Sequence, residues 1–129
     1  MRKFILEGKK AVEGKNIFSC ASLVAGTYHD KYGNDRQSLI YIAQKAFSYY
    51  TDILIRIEKM EINLSDNKDS AQVEITALVL CKLQDNSAEN IFQKEKGRLR
   101  VKLVKEEKKW RLQEIEFIDE FSIMGQKIN

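Results

Sequence analysis

Histidine and cysteine are scarce in this chain: one histidine and two cysteines in 129 residues. With His29 alone, no two-histidine metal centre can be built, and no metal or other cofactor is expected. Cys20 and Cys81 each fall on the apolar phase of their segments, where a free cysteine behaves as a small buried hydrophobe; nothing about them requires a disulfide. No apolar run approaches the ~20 residues that span a bilayer, and residues 1–11 carry charges where a leader peptide would be apolar. Phosphate-binding loops, catalytic signatures, internal repeats and low-complexity segments are also missing. The basic excess is small, with a formal charge of +3 and a pI near 8.8. It is uneven too: residues 1–50 hold 8 Lys or Arg against 4 Asp or Glu, and the remainder 14 against 15. A nucleic-acid binder shows a clustered footprint and a higher pI, so nucleic acid is not an expected partner.

What is present is enough for one domain, 1–129. Apolar residues make up 43% and charged residues 32% of the chain, and this length buries roughly two thirds of the unfolded surface around a single core. The chain reads as soluble as given. Its compartment stays open, because the helical pattern is already running at Arg2, which fits the mature part of an exported protein as well as an intact one.

The hydrophobic period changes once. Up to about Tyr50 apolar residues recur at helical spacing; from Ile53 to Phe117 they alternate. The spacing predicts a helix over 2–13 closed by Gly14, a second over 17–29 begun by Asn16, and a third capped by Asp35 that carries Leu39, Ile42, Ala43, Ala46, Phe47 and Tyr50 on one face. Strands follow. Ile53, Ile55 and Ile57 share a phase that shifts by one residue at Met60, Ile62 and Leu64, so a bulge is expected near Glu58 and Lys59. Ala71 to Leu83 alternates without a break. Gly97 predicts a kink in the third strand, and the parity shift near Gln113 predicts a second bulge in the last. Residues 65–70, 84–90 and 106–109 read as turns, and Phe121, Ile123 and Met124 as a terminal segment that packs on a neighbour or frays. Long, bent strands need something to coil around, which gives an α+β fold: three helices packed in a strongly curved antiparallel sheet of about four long strands.

This order resembles the nuclear transport factor 2-like superfamily, the cone-shaped cystatin-like fold. Local residues carry the likeness: Tyr28-His29-Asp30 closing the second helix, Tyr32-Gly33-Asn34-Asp35 in the loop, and Lys109-Trp110-Arg111-Leu112 opening the last strand. The resemblance implies a bacterial member of unknown function. It also implies that an enzyme of this type would hold an acid or base inside the cone, for which His29, Asp30 and Asp52 are the candidates. Every inward residue from Ala71 to Leu83 is apolar or Cys, however, which favours a cone filled or lined with hydrocarbon. Tyr28, Tyr32, Tyr41, Phe47, Tyr50 and Trp110 are the expected pocket residues for a small apolar or aromatic ligand. The reading is therefore a ligand-binding or protein-interaction module, not catalytic; the alternative is a small isomerase, dehydratase or cyclase acting on such a substrate.

On the outward phase, Lys94, Lys96, Arg98, Arg100 and Lys102 alternate along the third strand. Glu74, Glu114 and Glu116 can pair with them across the outer face. Leu78 and Leu80 share that face, and with Arg98 and Arg100 they mark an expected homodimer interface.

Overall fold

The computed structural model describes residues 1–83, 93–118, 121–123 and 126–128. Three helices, α1 (Arg2–Glu13), α2 (Ile17–Ser22) and α3 (Arg36–Tyr49), precede four long strands, β1 (Tyr50–Leu64), β2 (Ser70–Leu83), β3 (Gln93–Glu106) and β4 (Lys109–Phe117). The strands form one antiparallel sheet in the order β1-β2-β3-β4, and β5 (Phe121–Ile123) and β6 (Gln126–Ile128) pair separately. The expected turn over 84–90 and Met124 lie outside the described residues.

Both predicted bulges are present. Ile57 pairs with Ala77 and Lys59 with Thr76, leaving Glu58 as the extra residue. Lys102 pairs with Glu114 and Leu103 with Leu112, leaving Gln113 as the other. Each lets the apolar phase stay inward across the shift. Gly97 breaks nothing: the β2–β3 register runs unbroken through the Ala77–Gly97 pair. The glycine is buried on the inward phase, and its small size lies opposite another small residue.

Two helix ends differ from expectation. Gly14 sits at φ −81°, and the left-handed conformation falls on Lys15 at φ 51°. A Cβ on Gly14 would meet the Lys10 carbonyl oxygen at 3.3 Å, so close approach, not positive φ, suits glycine there. The second helix stops at Ser22 rather than His29. Beyond it the backbone takes β4 as its partner: the Ala25 N–H donates to the Leu112 carbonyl at 2.8 Å and the Leu112 N–H to the Leu23 carbonyl at 2.7 Å. Val24, Gly26 and Thr27 are poor helix residues, and the sheet edge offers this segment better-placed hydrogen bonds. The bulge residue Gln113 completes the seam, donating from Nε2 to the Thr27 carbonyl at 2.8 Å and accepting from Thr27 Oγ1 at 2.9 Å. Residues 23–29 thereby cover an edge strand that would otherwise be exposed to pairing with other chains.

The other edge is met at one position, Ile55, by a side chain. Glu13, at the end of α1, accepts the outward Ile55 N–H of β1 at 2.8 Å through Oε2 and pairs with Lys9 at 3.0 Å through Oε1. Burial pushes the Glu13 carboxyl up, but the Ile55 N–H and Lys9 outweigh it and hold the group below its ordinary value.

The core lies toward one end of the sheet. Val73 and Leu103 are fully buried and pack with Ile5 of α1, Ala71, Ile75, Ala77 and Val101. Along β2 the inward phase then loosens: Val73 is 0% exposed, while Val79 and Cys81 are only half-buried. Above that looser end lies α3, which has no buried residue.

Candidate functional site

Helix α3 is held by its two ends. Asp35 caps its start by accepting from the Ser38 N–H at 2.8 Å, and Arg36 reaches back to the last carbonyls of the preceding turn, Ala21 O at 2.8 Å and Val24 O at 3.4 Å. At the far end Lys15, turned by its positive φ, donates to Tyr50 O at 3.1 Å and Phe47 O at 3.4 Å. The carbonyls that a helix leaves unpaired at its C-terminus are thus met by a lysine ammonium.

Between these fixings α3 spans an open space. A cavity of about 420 Å³ lies between the sheet, α1 and α3. Its walls come from Phe4, Gly8 and Val12 of α1, Leu39, Ile42, Ala43, Ala46 and Phe47 of α3, and the inward phases of all four strands, among them Ile53, Ile55, Val79, Leu99, Ile115 and Phe117. Among the described residues the wall is hydrocarbon apart from Lys9, Tyr50 and Cys81. Burial, followed by the negative charge of Glu95, pushes the Cys81 thiol up. It remains protonated near neutrality and is a poor nucleophile.

Of the expected pocket residues, Phe47 and Tyr50 line this cavity; Tyr28, Tyr32, Tyr41 and Trp110 do not. Tyr28 is buried at 2% exposure, with its hydroxyl donating to Asp30 Oδ2 at 2.6 Å. Burial and then that carboxylate drive its ionisation far up. Tyr32 packs against Phe117 with the rings tilted by 49° and their centroids 5.7 Å apart, and its hydroxyl accepts the Phe117 N–H at 2.9 Å. Tyr41 points outward from α3 under Lys45. Trp110 packs against the core cluster beneath Lys105. The early stop of the second helix explains the displacement of Tyr28, because residues 23–29 run along β4 instead of continuing the helix.

None of the three acid or base candidates lines the cavity. His29 is exposed and lies 3.3 Å from the Thr27 carbonyl through Nδ1. Asp52 is exposed on the outward phase of β1. Asp30 organises its own loop, accepting from Tyr28, from the Tyr32 N–H at 3.0 Å and from the Asn34 N–H at 3.0 Å. Gly33, at φ 87°, makes that tight turn possible. Among the described residues no cluster of His, Cys, Asp or Glu could hold a metal ion, and no helix is long and apolar enough to cross a membrane.

The outer sheet face is a mesh of ion pairs. Arg100 reaches Glu116 at 3.0 Å and Glu74 at 3.6 Å, Lys102 reaches Glu114 at 3.2 Å, and Lys96 reaches Glu58 at 3.1 Å. The basic stripe is therefore largely matched within its own sheet. Leu78 and Leu80 are half-buried on this face, and Leu54, which the sequence reading passed over, stands opposite Leu80 at 46% exposure.

A cone of helices laid into a curved four-stranded sheet, with a loosely packed wide end, is the nuclear transport factor 2-like fold. A scytalone dehydratase-like protein from Novosphingobium aromaticivorans superposes with a TM-score of 0.82 at 10% identity, over 99% of this chain and 86% of that one. A nuclear transport factor 2-like superfamily protein from Salmonella enterica gives 0.76 at 11% identity, over 91% and 86%. A hexachlorocyclohexane dehydrochlorinase of the second LinA type gives 0.75 at 10% identity, over 93% and 82%. No protein-family model and no curated protein matches the sequence.

Proposed function

We propose that this protein binds a small apolar molecule inside the cone and performs no chemistry on it. The observation that carries this reading is the cavity wall: a volume of about 420 Å³ falls in the range of small-molecule sites, roughly 300–1,000 Å³, and among the described residues the wall is hydrocarbon apart from Lys9, Tyr50 and the protonated Cys81, with no carboxylate or histidine. Structural neighbours whose names denote a dehydratase and a dehydrochlorinase keep a catalytic role as the alternative, with His29, Asp30 or Asp52 as base. The exposure of His29 and Asp52 and the saturation of Asp30 favour binding over turnover.

The test is a titration with the uncharged fluorophore N-phenyl-1-naphthylamine. Wild-type protein gives a saturable, equimolar rise in emission. Ala46→Phe, which places a ring in the cavity from α3, abolishes the rise without lowering the melting temperature. A rise that fails to saturate, or one that survives Ala46→Phe, refutes the reading.

A second reading concerns assembly. Leu54, Leu78 and Leu80 form an apolar patch on the outer face, rimmed by Arg56, Lys96 and Arg98, and such patches mark association sites. We assign it to a homodimer in which Arg98 and Arg100 lie at the interface. Sedimentation velocity of Leu78→Lys/Leu80→Lys should give a monomer where wild type gives a dimer; an unchanged sedimentation coefficient overturns the assignment.

A further inference from the structure

The exposed charges of the three helices are unbalanced: Arg2, Lys3, Lys10 and Lys45 stand against Glu7 alone, and none of these four basic groups is in an ion pair among the described residues. The other charged side chains there are engaged within the protein, Lys9 with Glu13 and Arg36 with the carbonyls of Ala21 and Val24. The outer sheet face, by contrast, matches most of its basic groups with acids. Apolar groups share the helical surface. On α1, Arg2, Leu6 and Lys10 are spaced by four residues and form one row; on α3, Tyr41, Lys45 and Tyr49 form another. All six are exposed, Leu6 at 48%, Tyr41 at 58% and Tyr49 at 44%. Both rows lie off the sides of α1 and α3 that line the cavity. From α2, which packs on both helices, Phe18 stands out at 84% exposure. Of the large apolar side chains exposed among the described residues, only Leu54 and Leu64 lie elsewhere.

From this meeting of unmatched positive charge with exposed Leu6, Phe18 and tyrosine rings we infer that the outer surface of α1, α2 and α3 docks on an anionic lipid bilayer. Each component has a place there: basic side chains attract the negative headgroups, leucine and phenylalanine enter the acyl boundary, and tyrosine lies at headgroup level with its hydroxyl in water. A nucleic acid would meet the charge but leave Leu6 without a hydrocarbon partner. The contact is peripheral, with side chains entering the interface while the helices keep their packing on the sheet. It goes beyond the binding reading above and does not depend on it; where the two meet, α1 and α3 set the apolar cavity directly behind the membrane face.

Flotation of the full chain with lipid vesicles tests this. Wild type floats with phosphatidylcholine vesicles that contain phosphatidylglycerol and stays behind with phosphatidylcholine alone, and binding is lost at ~1 M salt, where the screening length shrinks to about 3 Å. Lys3→Gln/Lys10→Gln lowers the partition coefficient about thirtyfold, about fivefold for each basic residue removed, and Phe18→Ser lowers it several-fold. Lys59→Gln/Lys102→Gln, a charge-matched change on the outer sheet face, leaves it unchanged. Ala46→Phe also leaves it unchanged while abolishing the N-phenyl-1-naphthylamine signal, so that a failure of docking and a failure of the cavity reading are told apart. Wild type that ignores anionic vesicles, or binds both compositions equally, overturns the inference, as does binding that the sheet variant loses and the helix variants keep. Salt-sensitive retention on heparin without vesicle binding assigns the face to a polyanion and likewise overturns it. Thermal melts of each variant show that a loss of binding is not a loss of fold.

Discussion

Replacing Gly8 by alanine should make this protein more stable. Gly8 sits in the middle of α1, where glycine is less favourable than alanine by ~0.8–1.0 kcal/mol because its backbone loses more freedom on folding. It faces the cavity, and a Cβ built there would meet only Leu23 Cδ1, at 4.0 Å, which is ordinary contact. A half-buried methyl adds some fraction of the ~0.8 kcal/mol that full burial of such a group brings, so the total comes to roughly 1–1.5 kcal/mol. Unfolding entropy near 2.1 cal/mol/K per residue, taken over this chain, converts that into a rise of about 4–5 °C in melting temperature. Differential scanning calorimetry reads it directly, and urea unfolding should raise the midpoint without changing the slope. An unchanged or lower melting temperature would refute the argument, since it would mean that the space beside Gly8 is already occupied. Affinity for an apolar probe should fall in the same variant, because the added methyl takes room from the ligand.

The β3–β4 turn offers a second gain: Glu107 and Lys108 both adopt positive φ, 50° and 69°, in a two-residue hairpin that favours Asn-Gly, so Glu107→Asn/Lys108→Gly should add ~1 kcal/mol in chemical denaturation. Lys15→Met strips the donor from Phe47 O and Tyr50 O and should cost ~1–2 kcal/mol, with amide exchange rising first in the last turn of α3; uniform loss of protection would count against an end-fixing role. Glu13, whose folded-state pKa is lowered from 4.5, contributes stability that is present above that value and lost as the pH falls through its lower, folded-state pKa. The stability gap between wild type and Glu13→Gln should therefore be widest near neutrality and close in acid, and a gap that does not vary with pH would exclude the linkage.

Sequence period made the sheet legible almost to the residue. The parity shifts at Glu58 and Gln113 left no other way to keep Met60 and Ile115 inward, and both bulges lie there. Asp35 was equally readable as a cap, because the helical period begins right after it. The second helix was not. Val24 and Tyr28 kept helical spacing, and only the long-range competition from the edge of β4 turned residues 23–29 into an edge cover. No local pattern reports the partner of an edge strand. The site suffered from the same error at Tyr28, which was placed on a longer helix and so carried into a pocket that it does not line. Apolar lining was foreseen from the inward phase of β2. Lys9 was missed because a lysine one step off an apolar stripe looks like any solvated surface residue; its pair with Glu13 is local to α1, but the bond that Glu13 accepts from Ile55 comes from a strand more than forty positions away.

The fixing of α3 by Arg36 and Lys15 separates two kinds of sequence change. The residues that keep the helix in place, Asp35, Arg36 and Lys15, do not touch the cavity, while Leu39, Ile42, Ala43, Ala46 and Phe47 touch it without being buried in the core. Evolution can therefore exchange one set of wall side chains for another, and on the binding reading proposed above one ligand for another, while the architecture keeps its anchors. In a fold shared with proteins of quite different names at about 10% identity, a helix tethered at its ends is a physical route by which the occupant can change faster than the container.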